Sequence, residues 1–446
     1  MADVLLRLGG SVGYKEATAM ATGKRRAVEP EITEPFLVGS RRLPTTFAAL
    51  RHRNYRLWFV GQCVSLMGTW MQSVAQGWLV YQLTGSEFAL GTISFVGTLP
   101  TLFLMLPGGA IVDRIPKRGL LLVTQSVMML LAFIMAALSA TGVLRVWHIA
   151  VLAACLGITQ SFDAPARQTL AVEMVDDRRD LMNAIALNST IFNLARIVGP
   201  AIGGVVLATA GPTWCFGLNG LSFLAVLVAI WRMRLPAKQL GDEHRSLRTQ
   251  VAEGLRYVRE HSTVRTMIAL TGFASLFGMA YVTLLPAFAV DVLRVNATGL
   301  GALQAAIGVG ALIGSLTVAS LGRFRRKGLM LSVGSLVFPV ALLGFSFSRY
   351  LPLSMLFLSL AGWAIVAQNA TNNTLIQTIC PDELRGRVMA VFSLMIFGTT
   401  PFGALQAGSI AQALGPTAGV ALGAGLVLLF AVIVQLAVPA LRRQEA

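Results

Sequence analysis

Asp113-Arg114-Ile115-Pro116-Lys117-Arg118-Gly119-Leu120 returns in outline 209 residues later as Gly322-Arg323-Phe324-Arg325-Arg326-Lys327-Gly328-Leu329. Each stretch is a short basic break between long apolar runs. The register holds on either side: Leu90-Gly91 and Leu300-Gly301 lie 210 apart, and Thr169-Leu170 and Thr374-Leu375 lie 205 apart. Three matches in order point to an internal duplication, which sets the architecture before any single element is assigned.

The surrounding composition says what is duplicated. Of 446 residues, 55% are hydrophobic and 13% are charged, with a mean hydropathy of +0.70, which excludes a soluble globular chain. Apolar runs approach or exceed the ~20 residues that a helix needs to cross ~30 Å of hydrocarbon. Twelve can be read, centred near Ser65, Thr98, Met129, Leu156, Gly199, Phe223, Leu276, Ala311, Val337, Gly362, Phe397 and Val427. They are too long and too uniformly apolar for the alternating strands of a membrane barrel. The expected fold is an all-α membrane protein, twelve transmembrane helices in two pseudo-symmetric halves of six. Its parts are a disordered N-terminal tail (1–50), a first half (51–233), a basic linker with an amphipathic helix (234–264), a second half (265–440) and a C-terminal tail (441–446).

A net charge of +16 would suggest nucleic acid in a soluble domain. The positions of the 36 Lys and Arg decide otherwise. All but four fall in the tails and in the loops after spans 2, 4, 6, 8 and 10; Arg145, Arg294 and Arg349 lie in the other loops and Arg196 inside a span. The positive-inside rule then places both termini in the cytoplasm, in a cell inner or plasma membrane, with no nucleic-acid partner. Trp58, Trp231, Trp78, Trp147 and Trp214 fall near span ends as interfacial belts do, leaving Trp70 and Trp363 at mid-span. Between Ser246 and Thr266 the linker puts Val251, Leu255 and Val258 on one helical face, suited to an anionic inner leaflet.

Two six-span halves joined by a basic linker are a layout of secondary transporters, whose substrate site lies near the midplane between repeats. No Gly-x4-Gly-Lys-Ser/Thr phosphate loop occurs, so an ATP-driven pump is excluded. His52, His148, His244 and His261 lie in tails or loops without metal-ligand spacing, and Cys63, Cys155, Cys215 and Cys380 form no C-x-x-C pair. No metal, cofactor or enzymatic centre is expected, the energy source being a proton gradient; a monomer with a small-molecule substrate is expected.

Gly109-Ala-Ile-Val-Asp113-Arg114-Ile-Pro-Lys117-Arg118, Glu383-Leu-Arg385-Gly386-Arg387 and Gly199-Pro200-Ala-Ile-Gly203-Gly204 resemble motifs of the major facilitator superfamily, the last being its exporter-associated motif in span 5. Trp70-Met71-Gln72, Phe162-Asp163-Ala-Pro165-Ala-Arg167-Gln168 and Asn183-Ala-Ile-Ala-Leu-Asn188-Ser are similar to the subgroup of enterobactin exporters and macrolide or multidrug efflux proteins. The resemblance implies a conformational lock at Gly109, Asp113, Arg114, Lys117 and Arg118, with Asp113 facing the start of span 11 near Gly386 and Glu173 completing a relay through Lys117. Pro116 stands where the family has glycine, and Gly322 replaces the acid of the second half, so the lock is one-sided. A topogenic loop with no further role is the alternative reading.

Inside the spans, Gln62, Ser65, Thr69, Gln72 and Gln76 make a polar stripe on span 1, and Gln368, Asn369, Asn372 and Asn373 a cluster in span 10. With Trp70 and Trp363 these either line a central cavity or act as polar glue between helices. Arg196 needs a partner, since a charge there costs at least ~2.5–3.5 kcal/mol on insertion scales. Either it bridges to Asp163, or Arg196 meets an anionic substrate and Asp163 a coupling proton. The expected function is export of an amphipathic small molecule, drug-like compound or siderophore, by proton antiport. A dedicated siderophore exporter, an uptake carrier and a non-transporting scaffold or sensor are the alternatives.

Overall fold

In a computed structural model of the chain, residues 45–175, 178–233, 247–320 and 327–443 are described, and every regular element among them is a helix. The first half comprises α1 (Arg53–Thr84), α2 (Glu87–Arg114), α3 (Lys117–Ala140), α4 (Val146–Glu173), α5 (Arg178–Ala210) and α6 (Pro212–Arg232). After α7 (Leu247–Glu260), the linker helix, one broken span contains α8 (Ser262–Phe273) and α9 (Tyr281–Ala287), each followed by a π-helical turn. The rest of the second half is α10 (Ala297–Ser320), α11 (Lys327–Phe347), α12 (Leu351–Ile379), α13 (Asp382–Leu414) and α14 (Pro416–Ala437).

Among the described residues, eleven segments are long and apolar enough to cross a membrane. The expected twelfth is α1, whose 32 residues extend about 48 Å. It falls short on apolarity because of its own polar stripe, yet it is fully built into the bundle against α5 and α6.

Local chemistry ends the helices where the duplication requires. Gly211 and Gly415, at φ 84° and 87°, terminate α5 and α13, and Pro212 and Pro416 start α6 and α14. The positive φ admits glycine readily, and proline suits a first helical turn that has no N–H partner to lose. These Gly-Pro corners lie 204 residues apart.

Across the halves, α2 packs on α13 and α5 on α10. Toward the ends of α1 and α5 the buried core is continuous, with Met71, Ile93 and Phe216 of the first half joining Tyr281, Leu300 and Phe338 of the second. At the opposite face, which carries α7, it divides into two. Tyr55, Leu121, Leu170 and Ile230 form a cluster wholly in the first half, and Met267, Leu331, Leu375 and Phe392 one wholly in the second. The halves are therefore packed together at the far face and parted at the linker face.

Two expectations change at the chain's periphery. Residues 1–44 lie outside the described residues, but 45–50 belong to a short helical turn, Thr45–Arg51, rather than to a disordered tail. Asn183 Oδ1 accepts the Ala49 N–H at 2.9 Å, and Asp180 pairs with Arg51 at 3.2 Å and approaches His52 Nε2 at 3.0 Å. The linker helix, read as interfacial, also docks on protein: Tyr257 and Val258 are buried, Glu253 pairs with Arg387, and a Cβ on Gly254 would lie 2.6 Å from the Arg387 carbonyl.

Candidate functional site

A cavity of about 350 Å³ lies between α1, α2, α4, α9 and α10. Trp70, Gln76, Gln160, Gln304, Thr98 and Thr283 are among its polar or aromatic walls, and Leu90, Ile93, Leu156, Val282 and Pro286 among its apolar ones. A second cavity of about 360 Å³ shares Thr98 and Gln160 with it and continues toward the linker face past Thr101, Ser161, Gln168, Phe397 and Thr400. A side cavity within the first half adds Thr69 and Gln72 to Gln76 and Gln160. Small polar groups on an apolar wall are the composition of a site for amphipathic ligands.

The span 1 stripe divides between both of its readings. Gln76 and Trp70 line the central cavity and Thr69 the side cavity. Gln72 also lines the side cavity, but its Oε1 is taken up by Asn219 Nδ2 at 2.7 Å. Gln62 is buried, and its Oε1 accepts from Arg167 Nη1 at 3.4 Å. The span 10 cluster lies elsewhere. Trp363 Nε1 donates to Thr317 Oγ1 at 3.2 Å, so the ring is directed to α10. Asn372 Nδ2 donates to Thr271 Oγ1 at 2.7 Å and to the Met267 carbonyl at 3.2 Å, joining α12 to α8. Gln368 is buried beside Gly334, and Asn369 carries an unpaired buried oxygen. Trp363, Gln368, Asn369 and Asn372 thus line none of the cavities above; the polar-glue reading describes Asn372 and Trp363.

Arg196 and Asp163 do not pair. Arg196 stands 5.8 Å from the Trp70 ring centroid, a cation–π arrangement, with Phe192 edge-on to the same ring. Asp163 has no exposure. Its Oδ1 accepts from Thr124 Oγ1 and Gln125 Nε2, both at 2.8 Å. Arg167 Nε approaches Oδ2 at 2.7 Å, as a charge pair without hydrogen-bond alignment. Arg167 looked like a loop residue, but α4 runs on to Glu173 and holds it one turn from Asp163. At the positions 205 residues further on, Gln368 and Asn372 replace Asp163 and Arg167. The second half carries no charge there.

At the linker face Lys117 Nζ pairs with Glu173 at 3.3 Å. Arg118 donates to the Ile230 and Trp231 carbonyls at 3.2 and 2.8 Å, capping the C-terminal end of α6, and Arg114 is exposed. The side chain of Asp113 lies outside the described part of the structure. A Cβ on Gly109 or Gly386 would meet nothing within 4 Å, and among the described residues no ion pair joins the halves at this face.

The far face holds the opposite arrangement. A Cβ on Gly301 would lie 2.5 Å from the Pro200 carbonyl and 2.8 Å from Gly204 Cα; one on Gly91 would lie 2.6 Å from the Ala404 carbonyl and 3.2 Å from Gly408 Cα. Gly301 stands 210 residues after Gly91, and Gly408 stands 204 after Gly204, so one crossing is the pseudo-symmetric copy of the other. Gly199 and Gly203 press on α1 at Trp70 and Met71. The span 5 motif is thus a two-sided seam, to α1 within its half and to α10 across halves. Ser86 Oγ donates to Gln412 Oε1 at 2.6 Å, and Tyr81 donates to Asp291 across the same face.

Sequence reading missed Gln160, Gln304, Thr98, Thr283 and Arg167. Gln160 follows Trp147 and precedes Asp163 in span 4 with no repeat or motif to mark it; only mid-span polarity could have pointed there.

The family model described as "Transmembrane secretion effector" matches residues 44–446. The chain is 29% identical over 359 residues to the multidrug efflux pump Tap of Mycolicibacterium fortuitum, covering 78% of this chain and 87% of that protein. It is 27% identical over 401 residues to the enterobactin exporter EntS of Shigella boydii, covering 88% and 93%. A crystal structure of a POT family transporter in complex with 5-aminolevulinic acid shares the fold, with a TM-score of 0.70 over 87% of this chain and 96% of that one at 12% identity.

Proposed function

The chain belongs to the transmembrane secretion effector family of the major facilitator superfamily, and from that membership we propose that it exports an amphipathic small molecule by alternating access, driven by protons moving inward. It is a membrane transporter and not an enzyme. In this reading the linker face is cytoplasmic, α7 lies beside an anionic leaflet, and the structure is the inward-facing state. Cargo enters from the parted face, and rocking of the halves transfers the closure from the glycine crossings to the Gly109 and Gly386 ends.

Asp163 carries the proposal. A carboxylate that alternates between dry and wet surroundings alternates in proton affinity, and Asp163 is fully buried between α3 and α4 while its partner Arg167 lines a cavity with Gln62 and Gln168. Its counterpart Gln368 has no titratable carboxyl, so in this reading coupling belongs to the first half. A proton on Asp163 releases Arg167, and the rearranged pair favours the outward-facing state.

The experiment is retention of Nile red, an uncharged fluorescent amphipath. Cells lacking the protein are expected to retain more dye, wild type to restore expulsion, and Asp163→Asn to fail to do so. Equal retention in all three, with expression verified, would contradict export of this class.

A further inference from the structure

Gln76 of α1, Gln160 of α4 and Gln304 of α10 bring three carboxamides to one cavity. Among the described residues none of the three makes a hydrogen bond within the protein, unlike the neighbouring hydroxyls. Ser73 is turned to the Trp70 carbonyl at 2.8 Å and Thr98 to the Ser94 carbonyl at 2.7 Å, so their protons are already donated to their own helices. Gln160 also lines the other two cavities of the site and, among the described residues, is the one common to all three linings.

No Asp, Glu, Lys, Arg or His is found among the described residues that line these three cavities. Arg196 is held against the Trp70 ring. Arg167 lines only the small cavity near Gln62, and its charge is matched by Asp163. An anion or a cation placed here would be desolvated without a counter-charge, which is costly in a low-dielectric site. A free carboxamide, by contrast, offers N–H donors and a carbonyl acceptor together.

We propose that the site selects uncharged amphipaths bearing amide, carbonyl or hydroxyl groups on an apolar body, with Gln160 as the specificity-determining residue. The apolar walls take the body, Trp70 stacks on its flat part, and the three carboxamides read its polar groups. The inference rests on the transporter reading above and deepens it by naming the ligand class. A ligand of this class leaves the proton's charge to be carried by the protein alone.

The test is direct binding to the purified full chain in lipid nanodiscs, with three probes of unlike charge: colchicine, a neutral acetamide; ethidium, a cation; and 8-anilinonaphthalene-1-sulfonate, an anion. Colchicine is expected to bind most tightly, and Gln160→Leu to weaken it about tenfold, as loss of a hydrogen bond in a dry site does, while Gln160→Asn restores part of the affinity. Gln304→Leu, on another helix, repeats the test should Gln160→Leu fail to fold. Tighter binding of the sulfonate with loss in Arg196→Gln, tighter binding of ethidium, no binding of colchicine, or colchicine affinity unchanged in both leucine variants would each overturn the proposal. Binding is read without transport, so colchicine binding as stated with no expulsion of Nile red would remove the export reading and leave this one standing.

Discussion

Tyr81 donates its hydroxyl hydrogen to the Asp291 carboxylate, and the two stand 210 residues apart, the spacing that relates Leu90-Gly91 to Leu300-Gly301. The ends of spans 1 and 7 are equivalent points of the two halves, and they meet each other across the pseudo-symmetry axis. A contact of this kind exists only while the far face is closed.

Tyr81→Phe removes that bond and little else. One such bond contributes about 1 kcal/mol, so the far-open population is expected to rise about fivefold. The check is labelling of Ser94→Cys, in the cavity wall, by an impermeant maleimide added outside the cell; an unchanged rate would show that the bond does not hold the face shut.

The twin glycine crossings predict twin phenotypes. Gly91→Val and Gly301→Val each force bulk into backbone contact, at a cost of about 1–3 kcal/mol, and both are expected to abolish expulsion while preserving expression. Gly109→Val, facing open space in this state, is expected to leave the thermal stability of the purified protein within about 0.5 kcal/mol of wild type. Melting curves and dye retention measured together distinguish the three.

Asp163 and Arg167 are expected to behave as a unit. Arg167→Met leaves a buried carboxylate unmatched, a loss of about 3–5 kcal/mol for a fully buried pair and less here because Arg167 keeps 29% exposure. The double variant Asp163→Gln with Arg167→Asn copies Gln368 and Asn372 of the second half and is expected to melt closer to wild type than Arg167→Met does. A double variant less stable than Arg167→Met would contradict the account of the pair.

Cys380 sits just beyond α12, 3% exposed. Burial pushes its thiol up from the ordinary cysteine value, while the Tyr257 hydroxyl and Arg385 pull it back. Since the thiolate is the reactive form, alkylation in a variant retaining only this cysteine is expected to be slower than for a free thiol at neutral pH and to accelerate as pH rises. Tyr257→Phe removes a group that favours the thiolate and shifts that acceleration to still higher pH; a stopped-flow maleimide rate at several pH values checks both.

Much of the fold was legible because membrane helices announce themselves by length and apolarity, and the duplication is visible in the breaks between them. Leu90-Gly91 and Leu300-Gly301 served as register marks, but their meaning as crossings depends on which faces of α2 and α10 meet α13 and α5, and sequence periodicity does not specify partners. Arg167 was misplaced because polar residues after Pro165 resemble a loop, although the helix continues for two more turns. Trp363 is mid-span as read, yet Gly314 lets α10 approach its backbone, and that close packing turns the ring away from the central cavity. The carboxamides of Gln160 and Gln304 were missed for the converse reason: a lone polar residue in an apolar run carries no address until the opposing helices are known.

The measurement that bears most directly on proton-coupled export is internal pH in vesicles containing the reconstituted protein and a pH-sensitive dye, with Nile red as the cargo. Cargo-dependent proton movement is predicted for wild type and its loss, with colchicine binding retained, for Asp163→Asn. Cargo-dependent proton movement that persists undiminished in Asp163→Asn would contradict the account.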